Sequence, residues 1–377
     1  MSEGLTPSDK KFVAPRTGFK EQSFINDEKS EVYEQNLEQF KRLIESAKDL
    51  VLATDFDGTV SGFDPNPKTA GIDRKAQEAL LKIHALGVPV VIMTGRAGAE
   101  VARLAQIPGA VIIGTAGWEV YKADENDPTK GESRVDERLI PYHQEITTIL
   151  KTVRTKFFER VGGADTVDHS MEMTTEVPTS LGTVIFEKKA LTSEFPEGIT
   201  QEYNLNGVDS KKWDELVAAL ESDFNEHVSP GIKELFKLKA SIDRAHQPPT
   251  CRVSISPLGE EGKHKSLIQL LRKDDEINQH TGRPRRKEYF KGVPGGFDGV
   301  IYIGDSNADA KALRATHLTR EIAGRQSAGV VTFRPEDVGK NVQDRAVRNA
   351  DVSVTRVEGT AQFLTDIANL IEQYYRK

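Results

Sequence analysis

Apolar residues in this chain fall into short solid runs that alternate with stretches of helical spacing. Leu50-Val51-Leu52-Ala53-Thr54 is an apolar run ending in polar residues and a glycine, the pattern of a parallel strand buried on both faces. Ala76, Ala79, Leu80, Ile83 and Leu86 recur at helical spacing and predict an amphipathic helix over 74–86, closed by Gly87. Val88 to Met93 predicts a second buried strand running into Thr94-Gly95-Arg96. A helix over roughly 97–106 and a strand from Ala110 to Ile113 follow. The order βαβαβ predicts a doubly wound parallel sheet.

The pattern changes after Tyr121. Residues 122–137 are charged, carry Pro128 and Gly131, and read as a linker. A helix at about 141–159, a strand at Thr183–Glu187, a helix at Lys211–Glu226 and strand-like pieces near 235–242 and 251–256 then suggest a separate small α+β unit. Buried-strand character returns after Pro257-Leu258-Gly259. A helix at 263–272, a strand Val300-Ile301-Tyr302-Ile303, a helix Ala308–Ala315, a strand Val330–Phe333 and a helix at 359–375 complete the series. One α/β core interrupted by an inserted domain is expected. The polar first ~45 residues read as a tail with a leading helix at Val32–Ile44. Residues 273–299, basic around Arg283-Pro284-Arg285-Arg286-Lys287, read as a solvated surface insertion, the alternative being a substrate or partner contact.

Composition narrows the class. The 377 residues suffice for two domains or one with a large insertion, and 37% hydrophobic with 29% charged residues is a globular composition. No run of about 18 apolar residues suggests a membrane span, and the opening MSEGLTPSDKK has no secretory pattern. The single cysteine, Cys251, forms neither an internal disulfide nor a thiolate metal site, so a cytosolic protein is expected. A net charge of −7 argues against nucleic acid as a partner.

Four motifs fall at the C-terminal ends of expected strands or at a helix start, the edge where open parallel sheets bind ligands. In Asp55-Phe56-Asp57-Gly58-Thr59, two carboxylates two residues apart can share one site, where they repel unless a cation lies between them. With a divalent ion, one can attack phosphorus while the other serves as acid and then base. Thr94-Gly95-Arg96 offers a hydroxyl and backbone N–H groups to an anion. Lys263 and Lys265 both qualify as the cation that holds phosphoryl oxygens. In Gly304-Asp305-Ser306-Asn307-Ala308-Asp309, Asp305 completes an oxygen-ligand set suited to Mg²⁺, and Asp309 is placed to bind a metal-bound water or to orient Lys263.

This set, in this order, resembles the haloacid dehalogenase superfamily over about residues 48–370. The resemblance implies a Rossmann-like α/β core and a cap domain inserted between the Thr94 and Lys263 motifs. It implies Asp55 as nucleophile, Asp57 as acid/base, and Mg²⁺ held by Asp55, the Asp57 carbonyl and Asp305. Within the superfamily the chain is similar to the trehalose-6-phosphate phosphatase family. The supporting segments are Gly114-Thr115-Ala116-Gly117-Trp118-Glu119, Glu187-Lys188-Lys189, and Pro257-Leu258-Gly259 followed by Lys263-His264-Lys265-Ser266-Leu267. That last alignment favours Lys263 as the catalytic lysine. The chain departs from the family at Ala116, His264, Thr192-Ser193-Glu194-Phe195, Ser306 and Ala308.

The expected boundaries are 1–47 for tail and leading helix, 48–122 for the first part of the core, 123–256 for the cap, and 257–377 for the rest of the core. The expected activity is hydrolysis of a sugar phosphate, first trehalose 6-phosphate, with sucrose phosphate or mannosyl-3-phosphoglycerate as alternatives and a non-catalytic phosphosugar-binding regulator as a third reading. Asp55, Asp57, Thr94 and Lys263 carry the chemistry, and Asp55, Asp57, Asp305 and Asp309 the metal. Thr94, Gly95, Arg96 and Lys263 hold the phosphate, and Glu187, Lys189 and Glu119 contact the sugar. Expected partners are a small sugar phosphate, no nucleic acid and no membrane, in a monomer or homodimer.

Overall fold

A computed structural model describes residues 31–62, 70–114, 117–136, 199–204, 210–243, 250–257, 262–272, 290, 293–323, 326–337 and 343–375, with isolated positions at 145, 152, 156, 159 and 160. The described strands are β1 (Leu50–Thr54), β2 (Val90–Met93), β3 (Val111–Gly114), β4 (Glu119–Ala123), β5 (Gly131–Val135), β6 (Ile199–Asn204), β7 (Phe236–Asp243), β8 (Thr250–Pro257), β9 (Gly299–Gly304), β10 (Gln326–Phe333) and β11 (Val352–Thr355). The described α-helices are α1 (Glu31–Ser46), α2 (Arg74–Ala85), α3 (Gly98–Ala105), α4 (Trp213–His227), α5 (Pro230–Leu235), α6 (Gly262–Leu271), α7 (Ala310–Ala323), α8 (Asp344–Asn349) and α9 (Arg356–Tyr375).

Eight strands form one sheet in the order β11-β10-β9-β1-β2-β3-β4-β5. It is parallel from β11 to β3 and antiparallel from β3 to β5. Strand β1 lies between β9 and β2, so the connections leave it in opposite directions. A crevice therefore opens at the C-terminal ends of β1 and β9, the topological switch point of a doubly wound sheet.

Both faces of the central strands are buried, which is why they read as solid apolar runs. Leu50, Leu52, Val90, Ile92, Ile301 and Ile303 share a core with residues of α1, α2, α3 and α9. Val51, Ala53, Val91, Met93, Val300 and Tyr302 share a second core with residues of α6 and α7. Helix α2 begins where Asp73 accepts the Ala76 N–H at 2.9 Å, and it buries Ala76, Ala79, Leu80 and Ile83. Phe40 of α1 meets Phe363 of α9 edge-on, with ring centroids 4.9 Å apart.

The structure corrects the reading of 122–137 as a linker. Strands β4 and β5 pair antiparallel from Glu119↔Val135 to Ala123↔Gly131 and extend the main sheet. The expected core boundary at 122 thus falls inside β4. Between them, the Asp124 carboxylate accepts the Asn126 and Asp127 N–H groups in a local turn. β5 reads Gly-Glu-Ser-Arg-Val, a charged edge strand without an apolar face, so periodicity gives no sign of it.

A second, antiparallel sheet has the order β6-β8-β7 and is formed from residues within 199–257. Glu221 of α4 accepts the Ala240 N–H of β7 at 3.1 Å and ties the helix to this sheet. The strand expected at Thr183–Glu187, most of the helix at 141–159 and most of 273–299 lie outside the described residues. No helix among the described residues is long and apolar enough to cross a membrane.

Candidate active site

The sheet register brings the expected motifs to one edge. Thr54 pairs with Ile92 on one side and Ile303 on the other, so Asp55, Thr94 and Asp305 all follow the ends of adjacent strands. The Asp55 N–H donates to the Ile303 carbonyl at 2.8 Å, and the Thr94 N–H to that of Ile113 at 2.9 Å. Gly58 adopts φ +75°, and the N–H groups of Thr59, Val60 and Ser61 turn back onto the Phe56 carbonyl.

Lys263, on the first turn of α6, lies 2.7 Å from Asp55 Oδ1 and 2.7 Å from Asp309 Oδ1. Asp55, Asp305 and Asp309 each present an oxygen within 4.8 Å of the others, and all three are buried. Asp57 does not join this group through its carboxylate.

Asp309 is saturated with donors. Its Oδ1 accepts from Lys263 and, at 2.6 Å, from the Tyr302 hydroxyl; its Oδ2 accepts the Asp305 and Ser306 N–H groups and the Ser306 hydroxyl. A carboxylate has about four lone-pair sites, so these five donors leave no ordinary capacity for a metal. Of the two roles expected of Asp309, the geometry favours orienting Lys263. The opposite holds for Asp305, whose buried Oδ2 has no hydrogen-bond partner among the described residues and lies 3.4 Å from the Arg334 guanidinium.

Charge follows the same division. Burial pushes the Asp55 carboxyl well above its ordinary range; Lys263 opposes this, and Asp309 and Asp305 add repulsion. Burial and then the Asp309 charge raise Asp305 to about 6. Asp309 stays below its ordinary value because Lys263, Tyr302 and Ser306 together outweigh its burial. Asp55 and Asp305 therefore form a buried oxygen pair short of positive charge, with one oxygen still open. Such a pair fits a hard divalent cation.

The Thr94 hydroxyl oxygen accepts the Arg96 N–H at 3.0 Å, which leaves the hydroxyl's own proton for a further acceptor. Gly95 is exposed at that turn. The Arg96 side chain, expected on the phosphate, is engaged by carboxylates instead. Its Nε and Nη2 donate to Asp57 at 2.8 and 2.6 Å, and its Nη1 to Glu100 at 2.9 Å.

Glu119 does not stand where a sugar would meet it. It is wholly buried, with Oε2 accepting the Gly98 N–H at 2.9 Å and Oε1 the Ser133 hydroxyl at 2.8 Å. It caps α3 from a neighbouring strand, because Ala97 has no side chain to cap with. Glu187 and Lys189 lie outside the described residues.

Sequence reasoning missed Tyr302, Arg334 and Gln343. The Gln343 amide donates to the Asp305 carbonyl and, at 3.0 Å, to that of Thr332, while its oxygen accepts the Arg334 N–H at 2.9 Å. It stitches the loops after β9 and β10 together. Arg334 directly follows a buried strand, the same signal that picked out Thr94 and Asp305, and could have been found that way. Tyr302 is hidden within an apolar run, and Gln343 lies in no motif.

The comparisons with known proteins bear on the fold. No family model matches the sequence, and no curated protein sequence matches it. The solved C-terminal domain of C. albicans trehalose-6-phosphate phosphatase is similar at a TM-score of 0.50 and 11% identity, covering 89% of this chain and 97% of that one. Aspergillus fumigatus trehalose-6-phosphate phosphatase gives a TM-score of 0.49 at 13% identity, covering 88% and 97%. A trehalose-6-phosphate phosphatase related protein gives 0.48 at 12% identity, covering 86% and 99%. The first likeness bears on the fold alone: the chain shares with that solved domain the doubly wound α/β architecture that its apolar pattern predicts.

Proposed function

We infer that the protein is a Mg²⁺-dependent, cytosolic phosphatase that hydrolyses a sugar phosphomonoester through an aspartyl-phosphate, with trehalose 6-phosphate as the first substrate to test. The observation that carries this reading is Lys263, clasped between Asp55 and Asp309 at the switch-point edge beside the open oxygen of Asp305.

Asp55 attacks phosphorus, and the sugar oxygen leaves with a proton from Asp57. Asp57 next takes a proton from water as the water oxygen bonds to phosphorus. The bond between phosphorus and Asp55 breaks, returning the carboxylate and releasing phosphate. Lys263 and the Thr94 hydroxyl hold the phosphoryl oxygens, and fixed donors of this kind supply most of the help that phosphoryl transfer needs. Asp309 holds Lys263 in place. Mg²⁺, held by Asp55 and Asp305, would supply the positive charge that keeps the Asp55 carboxylate ionised beside an anionic substrate. Glu187 and Lys189 are proposed as sugar contacts on a cap over about residues 123–256.

The test is phosphate release from trehalose 6-phosphate, sucrose 6-phosphate and mannosyl-3-phosphoglycerate, each with Mg²⁺ and with EDTA. The expected result is metal-dependent release that Asp55→Asn abolishes, with the ranking of kcat/KM identifying the sugar. Full activity in EDTA, or unchanged activity in Asp55→Asn, would overturn the mechanism. Saturable binding without turnover on every sugar would replace it with the regulator reading.

A further inference from the structure

The grip on Asp57 goes beyond what phosphate binding requires. Arg96 meets both Asp57 oxygens with a two-pronged hydrogen bond, and its third point of attachment is Glu100 on the first turn of α3. The guanidinium also lies over the Phe56 ring, 5.8 Å from its centroid. Side-chain exposure falls from 31% at Asp57 to 11% at Arg96 and 9% at Glu100, so the chain of contacts runs from the crevice inward. Glu100 uses one oxygen on Arg96, while its other, buried oxygen has no hydrogen-bond partner among the described residues. An acid buried at such cost, with Arg96 as its hydrogen-bond donor, serves to hold that arginine.

A two-pronged guanidinium bond fixes both the position and the plane of the Asp57 carboxyl group. Hydrolysis of the aspartyl-phosphate needs a placed Asp57 whatever the leaving group, whereas a good leaving group departs in the first half without a proton. We propose that Arg96, anchored by Glu100, is a positioning residue that sets Asp57 for the second half of the reaction, the hydrolysis of the aspartyl-phosphate. Asp57 then takes the proton of the attacking water while the phosphorus bond to Asp55 breaks. Arg96 touches neither substrate nor phosphorus in this role. The inference rests on the phosphatase reading given above.

The experiment uses p-nitrophenyl phosphate, whose leaving group needs no proton, with full-length protein and Mg²⁺. Stopped-flow release of p-nitrophenolate gives the first-turnover rate, steady state gives the overall rate, and acid-quenched protein reports bound phosphate. Arg96→Ala is expected to raise the ratio of first-turnover to steady-state rate by roughly tenfold or more, within the range a general base contributes, and to accumulate phosphorylated protein. Arg96→Lys keeps a cation against Glu100 without the two-pronged geometry, so it serves if the alanine variant does not fold; it should shift the ratio in the same direction. Active parent protein with an unchanged ratio in the folded variants overturns the inference and leaves the phosphatase reading standing. Parent protein that neither releases phosphate nor becomes phosphorylated overturns both.

Discussion

Lys263 Nζ lies 2.7 Å from Oδ1 of Asp55, so the start of α6 is fastened to the end of β1 at the residue proposed as nucleophile. Both Lys263 and Lys265 had the right place in the motif order. Only Lys263 is seen against the buried acids; its ammonium is held charged by Asp309 and Asp55 despite burial. Lys263→Ala is therefore expected to lower phosphate release about 10²-fold or more, and Lys265→Ala to leave it within about twofold. Steady-state assays decide it, with melting curves showing that both variants fold. Equal losses in the two would remove Lys263 from its role.

The core was legible because its chemistry is local in sequence. Strands buried on both faces leave solid apolar runs, and Asp55, Thr94 and Asp305 each follow such a run directly. What the sequence concealed depends on pairing across the chain. The Ser133 that completes the Glu119 clasp sits on an edge strand with no apolar signature. Arg96 is adjacent to a phosphate motif, and its partner choice is set by the path of α3 and the loop after β1 rather than by its neighbours in sequence. The Asp309 role was open for the same reason, since saturation of its oxygens requires Tyr302 from inside β9.

Asp305 is placed to distinguish a metal ligand from a mere helix-start acid. Its carboxyl is raised to about 6 by burial and by Asp309, so an added cation relieves a repulsion present in the folded protein. At pH 7, Mg²⁺ at about 100 times its dissociation constant would stabilise the parent by ~2.7 kcal/mol, a rise of a few degrees in melting temperature. Asp305→Asn should lose most of that rise, while melting no lower than the parent in EDTA. Thermal melts with and without Mg²⁺ measure both. A full Mg²⁺ response in the variant would exclude Asp305 as a ligand.

Glu119 separates a brace from a sugar contact. Glu119→Ala leaves the Gly98 N–H and the Ser133 hydroxyl without this partner in a buried site, which should cost about 2–4 kcal/mol. The KM for the best phosphosugar should change by no more than about twofold. Chemical denaturation and steady-state kinetics on the same preparation test the two halves. A large rise in KM with little loss of stability would restore Glu119 to the substrate.

Glu100 gives the protein a pH-dependent stability whose sign can be worked out. Burial raises its carboxyl from 4.5 to about 7, against the opposing pull of Arg96. The folded state therefore binds a proton more tightly than the unfolded chain between about pH 4.5 and 7, and stability falls as pH rises through that window. A shift of this size corresponds to at most ~3 kcal/mol, complete once the pH passes the folded value. Glu100→Gln cannot ionise and lacks this term. Urea denaturation at pH 5 and pH 8 should show the parent losing about 1–3 kcal/mol more than the variant over that interval. Parallel losses would mean that Arg96 keeps Glu100 ionised throughout, and the buried acid would then owe its charge to the same guanidinium that holds Asp57.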